Sequence, residues 1–321
     1  MEKFFLFFLM FLSASQVFCL ETSTNATADF PKIKPTGFAK ARYTVDTTAG
    51  AKDGFTIAQT RFGLKGDISK DVIFSFSLEG TNTDENNNKA ICDAYIDIKS
   101  IPYFAARIGQ FKYKFSLENI TPDQDLELIN KSAVANNLIS PTRDIGAEIS
   151  KNFSVKSVEA NCSVAVVNGS GSNCADENDY KSIVGRIIFT PLKGFNVGGS
   201  VYDGKIGADA VTKDRTGFEA KYELKKLLCK TEYIFGKDGA VKKEGYYATV
   251  GYTVNPSVVM LARYDVWDPS LKTIGAKDNR WSVGVNYFLD KNVLLRNNYE
   301  QKMESPSVKN DLIMSELQVK F

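Results

Sequence analysis

Polar and apolar residues alternate in successive segments of roughly ten residues, which leaves few folds open to this chain. In the segment from Val72 to Gly80 (VIFSFSLEG), the aromatic and aliphatic residues fall on one face and the serine and glutamate residues on the other. The segment from Trp281 to Leu289 (WSVGVNYFL) follows the same order. Side chains of a β-strand point alternately to opposite sides, so each segment is predicted to be a strand with one apolar and one polar face.

About sixteen such segments can be counted when each is given the length of a strand that crosses a membrane at a tilt. An even number is what antiparallel closure of a bacterial barrel requires. The predicted strands begin near Phe38, Phe55, Val72, Ala90, Tyr103, Arg143, Val155, Lys181, Phe195, Thr216, Leu227, Gly245, Val258, Arg280, Asn292 and Leu312.

The connections between these segments alternate in length. Short turns such as Ser69–Asp71 and Pro191–Gly194 alternate with longer polar links such as NGSGSNCADEND and DGKIGADAVTKD. Short periplasmic turns and long outer loops are typical of a transmembrane barrel, whereas a soluble β-sandwich has no reason to sort its connections this way. The predicted fold class is therefore all-β, a transmembrane antiparallel β-barrel of about 16 strands.

The N-terminus resembles an export signal. Lys3 precedes the apolar run Phe4–Leu12, which is followed by small residues and is too short to span a bilayer as a helix. We expect a signal peptide at residues 1–19, cleaved after Ser15 or after Cys19, then a flexible lead-in at 20–36 and the barrel domain at 37–321.

Composition excludes several classes of function. The chain has 40 basic and 38 acidic residues and a net charge of +2, so nothing indicates a nucleic-acid binder. It has no histidine, which removes Ser-His catalysis and histidine metal sites, and we expect neither an enzyme nor a cofactor. The five cysteines are scattered without a metal-binding spacing, and a Cys162–Cys174 disulfide is left open.

The polar faces of the predicted strands carry charges of both signs. A row of Arg and Lys in a narrow pore would attract anions, but the acids on the same faces could pair with the bases and cancel the field. Anion preference and a weakly selective, mixed-charge wall therefore stay as alternatives. The basic residues on the polar faces are Arg61, Arg107, Arg186, Arg263, Arg296 and Lys320.

A set of motifs in order along the chain resembles the phosphate-selective porin family, also called porin O and P. The resemblance implies an outer-membrane barrel, usually trimeric, that passes small anions such as phosphate. Its implied partners are small hydrophilic solutes, outer-membrane lipid and a homotrimer. The matching stretches are DGFTIAQTRFGLKGDIS, RIGQFKYKFSLENIT, SPTRDIGAEIS, GRIIFTPLKG, GYYATVGYTVNP, ARYDVWDP, NRWSVGVNYFLDKNVLLRNNYEQ and LQVKF.

The link from Tyr113 to Thr142 is about three times the usual length, and structureless links of that length are usually functional. It is the third outer loop, which folds into the lumen and narrows it in general porins, and we expect the same here. Lys112 and Lys114 lie at its start, Lys131 in its middle and Arg143 at its end, and the acids between them are Glu118, Asp123, Asp125 and Glu127. The cations predicted to line the pore or bind anions are Arg61, Arg107, Lys112, Lys114, Lys131, Arg143, Arg186, Arg263 and Arg296.

Three functions are compatible with a barrel of this kind. The first is a channel for passive diffusion of small anions or of hydrophilic solutes in general. The second is an outer-membrane enzyme, which the lack of histidine disfavours. The third is a structural or adhesive surface barrel. The final segment SELQVKF is predicted to pair with the first strand, and its ending resembles the signal that barrel-assembly machinery reads in outer-membrane proteins.

Overall fold

The computed structural model describes residues 30–81, 90–139, 141–273, 277–304 and 308–321. The predicted signal peptide and the first part of the predicted lead-in lie outside the described residues. Residues Pro31–Phe321 form one compact unit. Its strands are β1 (Lys32–Asp46), β2 (Gly54–Asp67), β3 (Val72–Glu79), β4 (Ile91–Ile98), β5 (Ala105–Lys112), β6 (Arg143–Val155), β7 (Val158–Val167), β8 (Ser182–Leu192), β9 (Phe195–Ile206), β10 (Val211–Leu224), β11 (Leu227–Asp238), β12 (Val241–Asn255), β13 (Val258–Asp268), β14 (Asp278–Asp290), β15 (Val293–Met303) and β16 (Leu312–Lys320).

The sixteen strands form one closed antiparallel barrel in which each strand pairs with its neighbours in the sequence. The barrel closes where β16 pairs with β1, in a register that places Phe38 opposite Lys320 and Asp46 opposite Leu312. The predicted fold class is therefore confirmed. Closure leaves no strand at an open edge of the sheet, as a structure in the hydrocarbon core of a membrane requires.

Most strands begin within three residues of the positions that the polarity pattern predicts. Three begin earlier, namely β1 at Lys32, β10 at Val211 and β12 at Val241. The early part of β1 is KIKPT, which contains a proline and falls within the predicted lead-in. The early parts of β10 (VTKDR) and β12 (VKKE) carry polar residues on both faces, so no alternation of polarity marks them in the sequence.

The alternation separates an apolar outer face from a polar inner one. Outward-facing Phe218, Phe62 and Trp281 are 57%, 51% and 46% exposed. Their neighbours in the strands, such as Glu219 and Ser282, are buried on the inner side. An outward apolar band and a polar interior are what a barrel in lipid needs.

The connection between β5 and β6, residues 113–142, is called the inner segment below. It contains helix α1 (Leu117–Ile120), a 3₁₀ turn (Asp123–Asp125) and helix α2 (Ala133–Leu138). Helix α2 contacts β11, β12 and β13, although the segment leaves the sheet at β5. An apolar cluster joins it to inward-facing residues of these and neighbouring strands: Phe111, Tyr113, Phe115, Val134, Leu138, Ile139, Val184, Tyr202, Ile234, Tyr247 and Trp267.

None of the helices in the described part of the chain is long and apolar enough to span a membrane. Cys162 and Cys174 are free thiols, as are Cys92 and Cys229.

Candidate functional site

The interior of the barrel is a network of ion pairs, and Asp123 of the inner segment is its most crowded point. Its carboxylate lies 2.9 Å from Arg61 of β2, 2.9 Å from Lys112 of β5 and 3.7 Å from Lys131 of the inner segment. Burial alone would raise the pKa of Asp123, but the charges of Lys112, Lys131 and Arg61 hold it well below its usual value. Three of the predicted pore cations therefore converge on one ionised carboxylate.

The other six predicted cations also pair with carboxylates. Arg186 pairs with Glu219 at close range, and Arg107 binds Asp97 through two nitrogens while its guanidinium lies 3.9 Å from the centre of the Tyr95 ring. The remaining pairs are Lys114–Glu148 at 2.7 Å, Arg143–Asp93 at 3.0 Å, Arg263–Asp265 at 3.0 Å and Arg296–Glu316 at 3.0 Å. The wall is thus locally compensated in charge at each predicted base.

Helix α1 of the inner segment is held by a carboxylate of the barrel wall. Glu232 of β11 accepts hydrogen bonds from the backbone N–H groups of Leu117 and Glu118, at 2.6 and 3.0 Å, and from the hydroxyl groups of Ser116 and Tyr247. The first N–H groups of a helix have no partner within the helix, so this carboxylate satisfies them from outside. The contact fixes α1 to the far wall.

A second anchor surrounds Arg263 of β13. Its guanidinium lies 3.0 Å from Asp265 and 3.3 Å from Glu118, and it donates to the backbone carbonyl of Asn130 at 2.9 Å. Asp265 in turn accepts from the N–H of Ala133, at the start of α2. The side chains of Arg263, Asp265 and Glu118 are buried. Each charge is compensated by an opposite charge and by hydrogen bonds to neighbouring groups.

A third set of contacts ties the 3₁₀ turn to the seam where the barrel closes. Lys40 of β1 donates to the carbonyl of Asp123 at 2.8 Å. Arg296 of β15 and Gln318 of β16 both donate to the carbonyl of Gln124, at 2.9 and 3.0 Å. The inner segment therefore contacts inward-facing side chains on several sides of the barrel.

Two cavities lie against the inner segment. One reaches the end of the barrel with the shortest connections, where Lys225, Lys226 and Lys291 lie in turns, and is called the turn-end cavity; its volume is about 500 Å³. The other is lined by Thr81, Ser172 and Pro141 of the connections at the opposite end, and is called the loop-end cavity; its volume is about 460 Å³. Leu126 of the inner segment lines both cavities, so the segment lies between them.

Basic residues exceed acidic ones in the lining of each cavity. In the loop-end cavity, five bases face two acids: Lys40, Arg42, Arg61, Lys131 and Arg143 against Glu79 and Asp123. In the turn-end cavity, six bases face three acids: Lys221, Lys225, Lys226, Lys291, Arg296 and Lys320 against Asp125, Glu127 and Glu223.

Several inward-facing cations are absent from the set predicted from the sequence. Lys40, Arg42 and Lys230 lie on the polar faces of β1 and β11, where alternation could have identified them. Lys213 and Arg215 lie in a stretch that reads as a polar loop but belongs to β10. Lys213 and Arg215 are recognised as residues of one inward face only when β10 begins at Val211.

A closed sixteen-stranded barrel with an apolar outer face and a charged interior defines the porin class of outer-membrane β-barrels. Residues 22–305 match the family described as Gram-negative porin, and the chain belongs to that family. It is therefore a protein of the bacterial outer membrane.

Solved porin structures share this fold at low sequence identity. OmpF of Salmonella typhi in complex with daunomycin matches with a TM-score of 0.67 at 13% identity, covering 92% of this chain and 99% of that one. An anion-selective porin from Comamonas acidovorans matches with a TM-score of 0.66 at 13% identity, covering 90% and 99%. OmpT of Vibrio cholerae in a trimer form matches with a TM-score of 0.63 at 10% identity, covering 90% and 99%. No curated protein sequence matches this chain.

Proposed function

We propose that the chain forms a water-filled channel for passive diffusion of small hydrophilic solutes, with a preference for small anions such as phosphate. The observation that carries this proposal is the basic excess in the lining of both cavities, five against two and six against three. A fixed positive excess in a narrow, low-dielectric passage raises the local concentration of anions and lowers that of cations.

The inner segment is proposed to be the constriction of this channel. It contacts Glu232, Arg263 and Lys40, which belong to separate parts of the wall, and it lies between the two cavities. Solutes would have to pass beside its 3₁₀ turn. Within this proposal the nine predicted cations have two roles. Arg61, Lys112 and Lys131, which pair with Asp123, set the electrostatic potential at the 3₁₀ turn. The other six hold the wall and the inner segment in place.

Phosphate is proposed as one of the permeating anions because of the motif resemblance to phosphate-selective porins. The fold similarity to an anion-selective porin supports anion passage in the same general way. A weakly selective porin is the alternative that the many ion pairs favour, since every predicted base has an acidic partner. The family and the fold favour a channel over an enzyme.

A homotrimer is the proposed assembly, supported by the trimer form of a similarly folded protein. Strands β3, β4 and β5 have eight residues each, shorter than the other strands, and form a low section of the wall. We propose that this section faces a neighbouring copy. Native mass spectrometry of detergent-purified protein would measure the assembly, and a monomer would contradict it.

Planar-bilayer recording tests the proposed channel directly. The purified protein should give discrete conductance steps, and in a KCl gradient the reversal potential should have the sign set by chloride. Added inorganic phosphate should reduce the chloride current. The absence of conductance steps would contradict the channel, and a reversal potential near zero would favour the weakly selective alternative.

A charge-reversal pair sharpens this experiment. Lys112→Glu and Lys114→Glu should shift the reversal potential toward cations, because both lysines lie where the inner segment leaves the wall. Lys52→Glu, in the exposed connection between β1 and β2, is a matched control that should leave it near the wild-type value. Equal shifts in both variants would show that charge position along the channel does not matter.

A further inference from the structure

The turn-end cavity has an apolar wall that diffusion of inorganic ions does not explain. Leu228, Val259, Leu261, Phe288 and Leu294 all contribute to its lining. These residues come from β11, β13, β14 and β15 and lie on the side of the sheet that carries polar residues elsewhere. The lumen of a diffusion channel is ordinarily polar, so apolar residues clustered there indicate a different requirement.

The register of the strands brings apolar side chains of this wall together. Leu228, Gly251 and Leu261 are direct neighbours across β11, β12 and β13. A Cβ atom added at Gly251 would lie 3.0 Å from Leu261 and 3.4 Å from Leu228, so the two leucine side chains close over the glycine and form one continuous apolar surface. This apolar part of the cavity lining is called the leucine hollow below.

Lysines surround this hollow at the mouth of the barrel. Lys225 and Lys226 occupy the β10–β11 turn, and Lys291 occupies the β14–β15 turn on the other side of the hollow. Lys221 and Lys320 are paired with Glu223 and Asp125, at 2.6 and 3.2 Å. Lys226 donates to the backbone carbonyl of Val254 at 3.3 Å. Within the part of the chain that the structure describes, Lys225, Lys226 and Lys291 form no ion pair, so no carboxylate neutralises their charges.

At the inner end of the cavity, two polar atoms have no hydrogen-bond partner among the described residues. Arg296 is buried and lines the cavity; its Nη atoms bind Glu316, Gln318 and the carbonyl of Gln124. Among the described residues, its Nε atom and the Oδ1 atom of Asn286, which also lines the cavity, have no hydrogen-bond partner. Buried polar groups in proteins are usually paired, and those without a partner ask for an explanation.

We infer that the turn-end cavity is a binding site for organic carboxylates with a short apolar body, whose carboxylate meets the lysine rim while the aliphatic or aromatic part lies on the leucine hollow. The inference rests on the proposed function and deepens it by naming a substrate class. An inorganic anion uses only the lysines, and a neutral apolar solute uses only the hollow. An amphiphilic anion uses both, and about 500 Å³ is sufficient for a small one.

Current block measured in planar bilayers tests this site. Hexanoate and acetate are added in turn, on each side of the bilayer, and the concentration that halves the KCl current is recorded. Partial burial of four methylene groups should make hexanoate roughly tenfold more effective than acetate. Equal half-blocking concentrations for the two carboxylates would overturn the inference while leaving the channel itself intact.

Two sets of variants separate the two halves of the site. Leu228→Asn should remove most of hexanoate's advantage over acetate, whereas Leu228→Met, which retains an apolar side chain of similar volume, should keep it. Lys226→Gln with Lys291→Gln should weaken block by both carboxylates to a similar extent. The matched pair Lys70→Gln with Lys193→Gln, in other short turns, should not. A Leu228→Asn protein with the full wild-type advantage would also overturn the inference.

If the protein gives no conductance, the proposed function fails but the site can still be judged. Saturation-transfer NMR of protein in lipid nanodiscs would then compare hexanoate with acetate in the wild type and in Leu228→Asn. A hexanoate signal that depends on Leu228 supports the site without any channel. A signal that is the same in the variant, or in empty nanodiscs, contradicts it.

Discussion

The linings of the two cavities have the same excess of three basic over acidic residues, but the basic side chains are held differently at the two ends. At the loop end, Arg61 and Lys131 of the lining are held on Asp123 together with Lys112 behind it, and Lys40 is buried against a backbone carbonyl. At the turn end, Lys225, Lys226 and Lys291 are exposed and project from short turns. Buried charges are weakly screened and fixed in position, whereas exposed ones are mobile and strongly screened by salt. We therefore expect a rigid selectivity element at the loop end, where buried charges set an ion preference that salt changes little. The ion preference set by the exposed lysines at the turn end should fall as the ionic strength rises.

Removal of Arg263 should have the largest effect, because it would release the inner segment that separates the two cavities. Arg263→Ala leaves Glu118 and Asp265 buried without their cation, and breaking such a pair costs about 3–5 kcal/mol of the free energy of unfolding. We expect larger, noisier single-channel currents and new protease cleavage within residues 113–142. Arg107→Ala, which removes a pair with Asp97 of the neighbouring strand β4, is the matched control. Unchanged currents in Arg263→Ala would show that the segment does not depend on this anchor.

Neutralising Asp123 should have the next largest effect, a change in ion selectivity that arises at the loop end alone. Asp123→Asn keeps the shape of the side chain but leaves Arg61, Lys112 and Lys131 without their shared counter-charge. The chloride-to-potassium permeability ratio should rise several-fold, as measured from the reversal potential. Asp125→Asn removes a charge two residues away, whose exposed pair with Lys320 is strongly solvated, and should change the ratio little. Equal effects of the two variants would remove the distinction between the ends.

The strand pattern was accessible from the sequence because lipid on one side and water on the other impose a two-residue period. That period identified sixteen strands and placed most starts closely, including β3 at Val72, β11 at Leu227 and β16 at Leu312. It failed where polar residues occupy both faces, as in the start of β10 that carries Lys213, and in the proline-containing KIKPT start of β1. Lys40 and Lys213 were absent from the predicted cations, although a polar-face argument applied to the full strands would have included both.

The partners of the predicted cations were not accessible from the sequence. The pairs Arg61–Asp123 and Arg263–Glu118 join residues that are far apart in the chain and meet only because the inner segment crosses to another part of the wall. Adjacent-strand pairs such as Arg107–Asp97 depend on register, which shifts by a residue at each bulge. The two-residue period tells which side a residue faces but carries no information about what lies opposite.

Reversing the lysines at the turn end should have a moderate effect that salt removes. Lys226→Glu with Lys291→Glu should lower the chloride-to-potassium permeability ratio roughly twofold in dilute KCl, since both groups are exposed. The Debye length falls from about 10 Å at 0.1 M salt to about 3 Å at 1 M, so the effect should largely vanish at the higher concentration. The effect of Asp123→Asn should persist there because its charges are buried. Loss of both effects at 1 M would mean that the two ends are equally screened.

Acidification should have the smallest effect on the anion preference, because the pKa of Asp123 is lowered and its carboxylate stays ionised in mild acid. The pKa of this carboxyl in the folded protein lies well below its usual value of about 3.9, because Lys112, Lys131 and Arg61 outweigh the effect of burial. A depressed pKa contributes stability that is fully present above the unfolded value and is lost only as pH falls through the folded one. Between pH 7 and about 4.5 the carboxylate thus stays ionised, and the part of the anion preference that Asp123 controls should stay constant. The difference in permeability ratio between wild type and Asp123→Asn measures that part at each pH. If this difference shrank by half before pH 4.5, the three cations would not be holding the carboxylate in its ionised form, and the rigid element would have to lie elsewhere in the loop-end cavity.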